Sequence, residues 1–394
     1  MHFQAWFRLA AWTLSTSAAL AGEFPRFEAV TIDEHVGNVC YAVTTADVNG
    51  DGKLDVVAVS ENRVQWYENP TWAKHIILED QTERDNVCIA PLDIDEDGQV
   101  DFALGAGWTK IGTIQWISRT ADPAGKWSVH FIGKELSTHR MTFADVLGRG
   151  RPQLVVSPLN PSVSDGARLL AYEIPRDPRT GRWMPIVLDE SLHRVHGHAH
   201  VEWDGSKSIA TLAAAEEGIY LIQRNGEATF RRTLIAPGAT ADKPIDRGAG
   251  EVRVGRWNTG RILATVEPMH GNQAVVYFAP RTDSSDDTWR RQVLDDTLKQ
   301  GHAVGAVELT GDDQDEILVG HREPGTGSVR GPGLYVFESQ NAEGTQWTKH
   351  VIDDGGCAAE DARAVDLNGD GRPDLVAGGR ATHNVRIYWN RGAQ

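Results

Sequence analysis

An all-β fold of seven repeated four-stranded units is predicted by three features of the sequence. An acidic motif, D-x-[DN]-x-D-G-x-x-D, begins at Asp47, Asp93 and Asp366, and each copy runs into an apolar stretch. A second motif, W-x-x-H-x-I, has clear copies at Trp72, Trp127 and Trp347 and looser copies at Phe27, Trp183, Phe230 and Trp289. Between these copies lie three further strand candidates. Repetition at this spacing indicates one structural unit used seven times.

Four strands in each of seven units describe a seven-bladed β-propeller. In the first unit the three further strands are expected at residues 40–46, 54–60 and 64–67. The last unit has only three C-terminal strands of its own, whereas residues 27–32 form a strand that belongs to no unit. We therefore expect this N-terminal strand to complete the last blade, which closes the ring and leaves no free sheet edge.

The first 21 residues have the pattern of a signal peptide. Arg8 supplies a positive charge, residues 9–20 are apolar, and Ala19-Leu20-Ala21 fits a cleavage site made of small residues. The stretch is short for a membrane span, and no later segment is apolar enough to be one. We expect cleavage near Ala21, a periplasmic or secreted protein, and a single propeller domain over residues 22–394.

Charge and cysteine content narrow the classes of partner and reaction. The net charge of −16 argues against nucleic acids and anionic membranes. Cys40, Cys88 and Cys357 lie in small apolar surroundings, which favours buried thiols over a disulfide framework or a nucleophile. The sequence contains no serine-hydrolase, zincin, P-loop or dinucleotide-binding motif.

The acidic motif has the ligand pattern of a calcium loop. Oxygen side chains at its positions 1, 3, 5 and 9 can turn inward, and Gly at position 6 permits the bend, as in the first part of an EF-hand loop. The Glu at position 12 is absent and a strand follows, so the loop belongs to a strand–loop–strand unit. The predicted structural Ca²⁺ sites, about three, comprise Asp47, Asn49, Asp51, Lys53 and Asp55; Asp93, Asp95, Asp97, Gln99 and Asp101; and Asp366, Asn368, Asp370, Arg372 and Asp374.

The other four units keep this loop to different degrees. The sixth is partial, with Glu308, Thr310, Asp312 and Glu316. The third has Arg149 where a carboxylate is needed and should bind no calcium, and the fourth and fifth have lost the pattern. Calcium is therefore expected to brace the arc of blades 6, 7, 1 and 2.

The histidines form two groups. His75, His130 and His350 repeat with the W-x-x-H motif and are expected to be structural. The second group is found by counting six positions back from the first position of the acidic loop in each unit. In a propeller these positions share one height at the mouth of the central channel. They are occupied by Tyr41, Val87, His139, His196, Gly250, His302 and Glu360. Arg140, His198, Glu251 and Asp361 lie next to that ring, and the second strands end near His270, Arg322, Arg380 and His383. A lone histidine here would be a packed or solvent-facing loop residue, but this coincidence favours a polar functional pocket.

Two resemblances follow from these motifs. The acidic repeat with its apolar strand resembles the FG-GAP/VCBS repeats of integrin-α-type propellers, which implies the propeller fold and calcium. The segments 137–140, 195–198, 266–273, 301–303 and 353–356 resemble the propeller domain of aldos-2-ulose dehydratase and its bacterial relatives. That resemblance implies an enzyme of keto-sugars such as anhydrofructose, with a metal-dependent dehydration site in the propeller.

Imidazoles, carboxylates and arginines together suit the removal of a proton next to a carbonyl. We predict a lyase or dehydratase of a sugar or keto-sugar, with His196 or His198 as base and His270 as acid. His139, His302 and Glu251 would hold a second divalent ion (Zn²⁺ or similar) or orient the substrate, and Arg140 and Arg322 would stabilise the anionic intermediate. The alternative is a non-catalytic, calcium-braced propeller that binds glycan or protein. A purely structural protein would be expected to scatter its histidines.

Overall fold

A computed structural model describes residues 23–162, 166–203, 209–258, 260–280 and 287–393. These residues form seven four-stranded antiparallel sheets, which is the predicted seven-bladed propeller. The predicted signal peptide lies outside the described residues. No helix among them is both long and apolar enough to span a membrane.

The blades follow one another along the chain. Blade 1 contains β2 (Cys40–Ala46), β3 (Asp55–Ser60), β4 (Arg63–Glu68) and β5 (Ala73–Glu79). Blade 2 contains β6 (Cys88–Leu92), β7 (Asp101–Ala106), β8 (Thr113–Ser118) and β9 (Ser128–Lys134). Blade 3 contains β10 (Thr138–Ala144), β11 (Gln153–Pro158), β12 (Leu169–Glu173) and β13 (Met184–Asp189). Blade 4 contains β14 (Gly197–Glu202), β15 (Ile209–Ala215), β16 (Gly218–Arg224) and β17 (Phe230–Ala236).

The remaining three blades have the same plan. Blade 5 contains β18 (Val252–Trp257), β19 (Gly260–Glu267), β20 (Gln273–Phe278) and β21 (Arg290–Asp295). Blade 6 contains β22 (Gly301–Val307), β23 (Glu316–His321), β24 (Gly333–Ser339) and β25 (Trp347–Asp354). Blade 7 contains β26 (Ala359–Val365), β27 (Asp374–Gly379), β28 (Val385–Asn390) and β1 (Phe27–Asp33). A short 3₁₀ helix, Pro244–Asp246, lies between blades 4 and 5.

The ring closes as the sequence predicts. Strand β1 pairs antiparallel with β28, from Phe27 opposite Asn390 to Asp33 opposite Val385. The Asp33 carboxylate also accepts hydrogen bonds from Tyr67 (2.6 Å) and Lys74 (2.8 Å) in blade 1. The closing strand is therefore bound to its own blade through the main chain and to the next blade through a buried carboxylate.

Burial explains the different patterns of the strands. The second strands, such as β3 and β7, are buried along their whole length and read as continuous apolar runs. The outer strands are more exposed, and His75 and His130 on them stack on Trp66 and Trp116 with ring centroids 4.4 Å apart. These two repeat histidines thus pack against the outer blade. The three cysteines are buried and unpaired, as predicted.

The acidic loops are held by their own carboxylates. The side chain of Asp47 accepts hydrogen bonds from the N–H groups of Gly50, Asp51 and Gly52 at 2.7–3.0 Å. Asp55 accepts from Val48 at 2.8 Å, which fastens the loop to the start of the next strand. Gly50 and Gly52 have φ values of 81° and 86°, a region that glycine enters without strain.

The loops of blades 2 and 3 differ in whether carboxylate oxygens lie close enough together to share a cation. In blade 2, carboxylate oxygens of Asp93, Asp95 and Asp101 lie within 4.8 Å of one another, a spacing that suits a shared cation. In blade 3, Gln153 replaces the last carboxylate and accepts the Leu147 N–H at 2.9 Å. The loop therefore keeps its hydrogen-bonded shape without the full ligand set, and bound calcium stays a prediction.

Candidate functional site

Four of the seven mouth residues are presented by β-bulges at the start of the inner strands. Tyr41, His139 and Glu360 are each the extra residue where the register with the second strand shifts. In blade 6 the register shifts between Gly301 and Val304, and His302 lies within this interval. A bulge turns one side chain away from its regular direction. Here the bulges lie at positions that the spacing of the repeats predicts at the mouth.

A left-handed residue lies two positions before five of these mouth residues. Asp85, Ser137, Arg194, Gly248 and Gln300 have φ values between 48° and 74°. Few non-glycine residues adopt this conformation, so its recurrence at equivalent positions marks a repeated turn into five of the seven inner strands. The turn and the bulge occur together at His139 and His302.

Four histidines from four blades converge there. The ring centroid of His196 lies 4.4 Å from that of His139, 4.5 Å from His270 and 4.8 Å from His302. The Nε2 atoms of His196 and His270 are 2.7 Å apart, so one donates a hydrogen bond to the other. The sequence predicted that His139, His196 and His302 share one height, and the structure brings them together with His270.

Backbone carbonyls of neighbouring blades set the tautomers of two of these rings. Nδ1 of His139 donates to the carbonyl of His196 at 3.0 Å, and Nδ1 of His302 donates to the carbonyl of Glu360. Each carbonyl belongs to the equivalent position of the next blade. Nε2 of both rings consequently carries a lone pair; a hydrogen bond from one ring nitrogen prepares the other nitrogen for metal binding in this way.

The cluster contains buried nitrogens without a hydrogen-bond partner. Nε2 of His302 has none among the described residues. Nδ1 of His196 lies 3.1 Å from the Glu251 carboxylate but is not aligned for a hydrogen bond. The ligand nitrogens of His139, His196 and His302 all lie within 4.8 Å of one another, so the three could hold one metal ion.

Glu251 is the charged centre beneath the histidines. Its carboxylate accepts hydrogen bonds from Nε (2.9 Å) and Nη2 (2.7 Å) of Arg140 and from Nη1 of Arg253 (3.2 Å). Burial opposes ionisation of Glu251, but Arg140 and Arg253 outweigh it and hold its pKa well below the usual value. Glu251 is therefore a carboxylate in the folded protein.

The histidines are neutral at ordinary pH. Burial lowers the pKa of His196 to about 4, although the neighbouring Glu251 acts in the opposite direction. Burial also lowers the pKa values of His139, His270 and His302, and the positive charge of Arg140 adds to the effect. Neutral imidazoles can accept a proton or bind a metal ion.

A cavity of about 570 Å³, which we call the mouth pocket, opens above this cluster. Its volume falls within the range of about 300–1,000 Å³ typical of small-ligand sites. It is lined by Asn38, Val39, Tyr41, Val87, Trp108, His139, Arg140, Leu159, His270, Gln300, His302, Arg322, Glu323, Glu360, Arg380, Ala381 and His383. The lining joins a ring of polar groups to the aromatic side chains of Tyr41 and Trp108.

Three of the predicted site residues, Glu251, His196 and His198, do not line this pocket. His196 is fully buried and lies behind His270. His198 belongs to a separate hydrogen-bonded chain, in which its Nδ1 contacts Ser157 (2.9 Å) and its Nε2 contacts Thr142 (2.8 Å). Both nitrogens of His198 are therefore occupied.

Sequence reasoning missed Trp108, which lies just after the second strand of blade 2 and 6.2 Å from the His139 ring. The rule that second strands end at the mouth would have found it. The other predicted pocket residues, Arg140, His270, His302 and Arg322, do line the cavity together with His139.

The fold and site thus define a seven-bladed propeller with a histidine-rich pocket at the mouth of its channel. Residues 111–280 match the family model of the aldos-2-ulose dehydratase β-propeller domain, and residues 47–104 match the FG-GAP-like repeat. Both resemblances inferred from the sequence are confirmed. The match to the dehydratase domain contains His139, His196, Glu251 and His270 but not His302.

A search of curated proteins found no match. Among solved structures, the chain is similar to an Agrocybe aegerita lectin that recognises non-reducing terminal N-acetylglucosamine. The two are 13% identical with a TM-score of 0.50, over 93% of this chain and 85% of the lectin. This likeness shows the fold alone.

Proposed function

We propose that this protein is a carbohydrate-active carbon–oxygen lyase that eliminates water or an alcohol from a sugar or keto-sugar in the mouth pocket. The observation that carries the proposal is a cluster of four neutral histidines, three of which line one cavity, with buried nitrogens that lack hydrogen-bond partners among the described residues. The match of residues 111–280 to a sugar dehydratase domain supports the same class of reaction.

His139, His196 and His302 fit a divalent metal ion of the kind that prefers nitrogen ligands, such as Zn²⁺. The fit rests on the buried Nε2 of His302, which has no described partner, and on the Nδ1 bonds that leave Nε2 of His139 and His302 free. A metal ion bound there would supply a Lewis acid for a carbonyl oxygen.

We assign the proton transfer to His270 rather than to His196 or His198. His270 lines the pocket, and its Nδ1 has no partner among the described residues, whereas His196 is covered and His198 has both nitrogens occupied. His270 would take a proton from the carbon next to the carbonyl. The C–H electron pair then becomes a C=C bond, the C–O bond breaks, and the imidazolium returns the proton to the leaving oxygen.

Arg140 and Arg322 would stabilise the negative charge that develops when the proton is removed. Arg140 is held against Glu251 through Nε and Nη2, so its position is fixed before substrate arrives. Arg322 is held by Glu360 at 3.1 Å. A preorganised guanidinium needs little rearrangement in the transition state.

The test is an assay of the mature protein, depleted of metal and reloaded with Zn²⁺, on keto-sugars and hexuronides. We expect a new ultraviolet-absorbing enone or unsaturated sugar. His270→Gln should lower kcat about 100-fold or more. His35→Gln changes an exposed histidine that does not line the pocket; it is the matched control and should keep wild-type activity. Absence of product with any divalent metal, or full turnover by His270→Gln, would contradict the proposal.

A non-catalytic glycan-binding protein is the second candidate. Trp108 and Tyr41 give the pocket the flat aromatic walls on which sugar rings pack, and a lectin shares the fold. Tight binding of an intact glycan with no conversion, in the metal-loaded protein, would favour this candidate.

Two further expectations belong to the proposal. Ca²⁺ in the loops that begin at Asp47, Asp93 and Asp366 would stabilise the fold rather than take part in the reaction. Export after cleavage near Ala21 would place the enzyme where extracellular or periplasmic sugars occur. Mass spectrometry of the protein secreted by its native host would show the new N-terminus at residue 22.

A further inference from the structure

We infer that the blade 6–blade 7 side of the mouth pocket is a subsite for a carboxylate, so that the ligand of this pocket is an acidic sugar. This inference rests on the proposed carbohydrate function of the pocket and specifies its substrate class. It concerns Arg380 and His383, to which the proposed elimination gives no role, together with the neighbouring Arg322.

The subsite has more positive than negative charge. Arg322 and Arg380 share a single carboxylate, that of Glu360, at 3.1 Å and 2.8 Å. The other acidic residue of the lining, Glu323, is paired with Lys299 at 3.0 Å. One guanidinium is therefore without its own counterion, in a chain whose net charge is −16. A local excess of positive charge in an acidic protein attracts and orients anions.

Arg380 has donors to spare. It uses Nη1 for Glu360, and its Nε and Nη2 have no side-chain partner among the described residues. Its side chain is 34% exposed and its guanidinium lies 5.3 Å from the centre of the Tyr41 ring. The aromatic contact and the Glu360 bond hold the guanidinium in place, with its free N–H groups available at the pocket wall. Two parallel N–H groups are the arrangement that binds a carboxylate in bidentate fashion.

Arg322 is the fixed member of the pair. Its side chain is 11% exposed, Nη1 bonds Glu360, and Nη2 bonds the amide oxygen of Gln300. Burial lowers its pKa, but a guanidinium stays charged at any physiological pH. His383, exposed at the same wall with φ of 57°, adds an imidazole without a partner in the described part of the chain. Arg322 therefore supplies fixed charge, and Arg380 and His383 supply the open donors.

The experiment compares three hexuronates (glucuronate, galacturonate and mannuronate) with the matching hexoses by calorimetric titration of the full chain at low salt. At least one hexuronate should bind tenfold or more tightly than its hexose, as expected for a charge-assisted hydrogen bond. This preference should disappear in Arg380→Gln, persist in part in Arg380→Lys, and weaken as sodium chloride rises. Arg391→Gln, an exposed arginine of the same blade that pairs with Glu28, is the control and should keep the preference.

Equal binding of acid and hexose, an undiminished preference in Arg380→Gln, or binding of none of the three acids would overturn the inference. Its failure is separable from failure of the proposed function. Selective hexuronate binding without turnover contradicts the lyase alone, whereas turnover of neutral sugars only contradicts the carboxylate subsite alone.

Discussion

At the scale of single residues, the channel mouth is organised by two buried carboxylates, each of which pairs with two arginines. Glu251 is almost fully buried and holds Arg140 and Arg253, while Glu360 holds Arg322 and Arg380. The sequence identified Glu251 and Arg140 as neighbours at the mouth. It could not reveal that one carboxylate pairs with two arginines, since one arginine of each pair lies in another blade and the contacts depend on side-chain directions.

Glu251→Gln should destabilise the protein. The substitution leaves two arginines without their counterion, and removing one partner of a buried ionic cluster costs about 3–5 kcal/mol. Urea unfolding at pH 7 measures the change. Glu28→Gln, which removes an exposed partner of Arg391, should change the free energy of unfolding by less than about 1 kcal/mol. Similar values for the two variants would contradict the role given to Glu251.

The Asp33 carboxylate should make stability depend on pH. Burial opposes its ionisation, but hydrogen bonds from Lys74 and Tyr67 outweigh it and hold the pKa of Asp33 below its usual value. A carboxyl with a lowered folded-state pKa contributes stability above its unfolded pKa of about 3.9, and the contribution is lost as the pH falls through the folded value.

Asp33→Asn should therefore lower the free energy of unfolding at pH 7 by about 1–3 kcal/mol, and the deficit should shrink below about pH 4. Urea unfolding between pH 7 and pH 2.5 would show it. The neighbouring exposed Glu34, changed to Gln, serves as the control. A deficit that is the same at both ends of this range would show that the carboxylate charge is not its cause.

At the scale of elements, the strand and loop positions were accessible from the sequence, whereas the bulges were not. Alternating and continuous apolar runs predict strands because they follow the two faces of a sheet. The bulges at Tyr41, His139 and Glu360 leave no such pattern. They depend on how each inner strand pairs with its neighbour, and they decide which side chains enter the pocket.

Calcium should raise the thermal midpoint of the protein through the acidic loops. A ligand that binds only the folded state at 100 times its Kd adds about 2.7 kcal/mol to the free energy of unfolding. Asp93→Asn, in the loop where three carboxylates lie close together, should reduce the calcium-dependent rise measured by differential scanning calorimetry.

Asp145→Asn is the matched control for this measurement. Asp145 accepts hydrogen bonds from Arg149 and Gly150 in the same loop geometry, but its loop lacks the ligand set. It should lower the midpoint with and without calcium by equal amounts. A calcium effect that Asp93→Asn leaves unchanged would place the cation elsewhere.

At the scale of the whole molecule, the ring is closed by β1, which lies at the opposite end of the chain from its partner β28. The chain ends also meet, since Arg26 donates a main-chain hydrogen bond to Gly392 at 3.1 Å. Pairing with β1 covers the edge of β28 and keeps all seven inner strands around one channel. The mouth pocket depends on it, because its lining runs from blade 5 through blades 6, 7, 1 and 2 to blade 3.

Deletion of residues up to Asp33 should therefore destabilise the entire ring by about 3 kcal/mol or more and promote association through the open edge of β28. Unfolding and light scattering would measure the two effects. A chain that begins at Arg26 is the control. Addition of a peptide of residues 27–33 should restore stability, and a truncated chain as stable and monomeric as the control would contradict the closure argument.

The sequence by itself determined the number of blades, the closing strand, the acidic loops and the set of residues near the mouth. These features repeat along the chain, and repetition preserves their register from blade to blade. Only the tertiary structure decided that His270 faces the pocket while His196 lies behind it, that His139 and His302 present Nε2, and that Arg322 and Arg380 share Glu360. Each of these depends on contacts between different blades, where a side chain's direction is set by its neighbours rather than by its own position in the repeat.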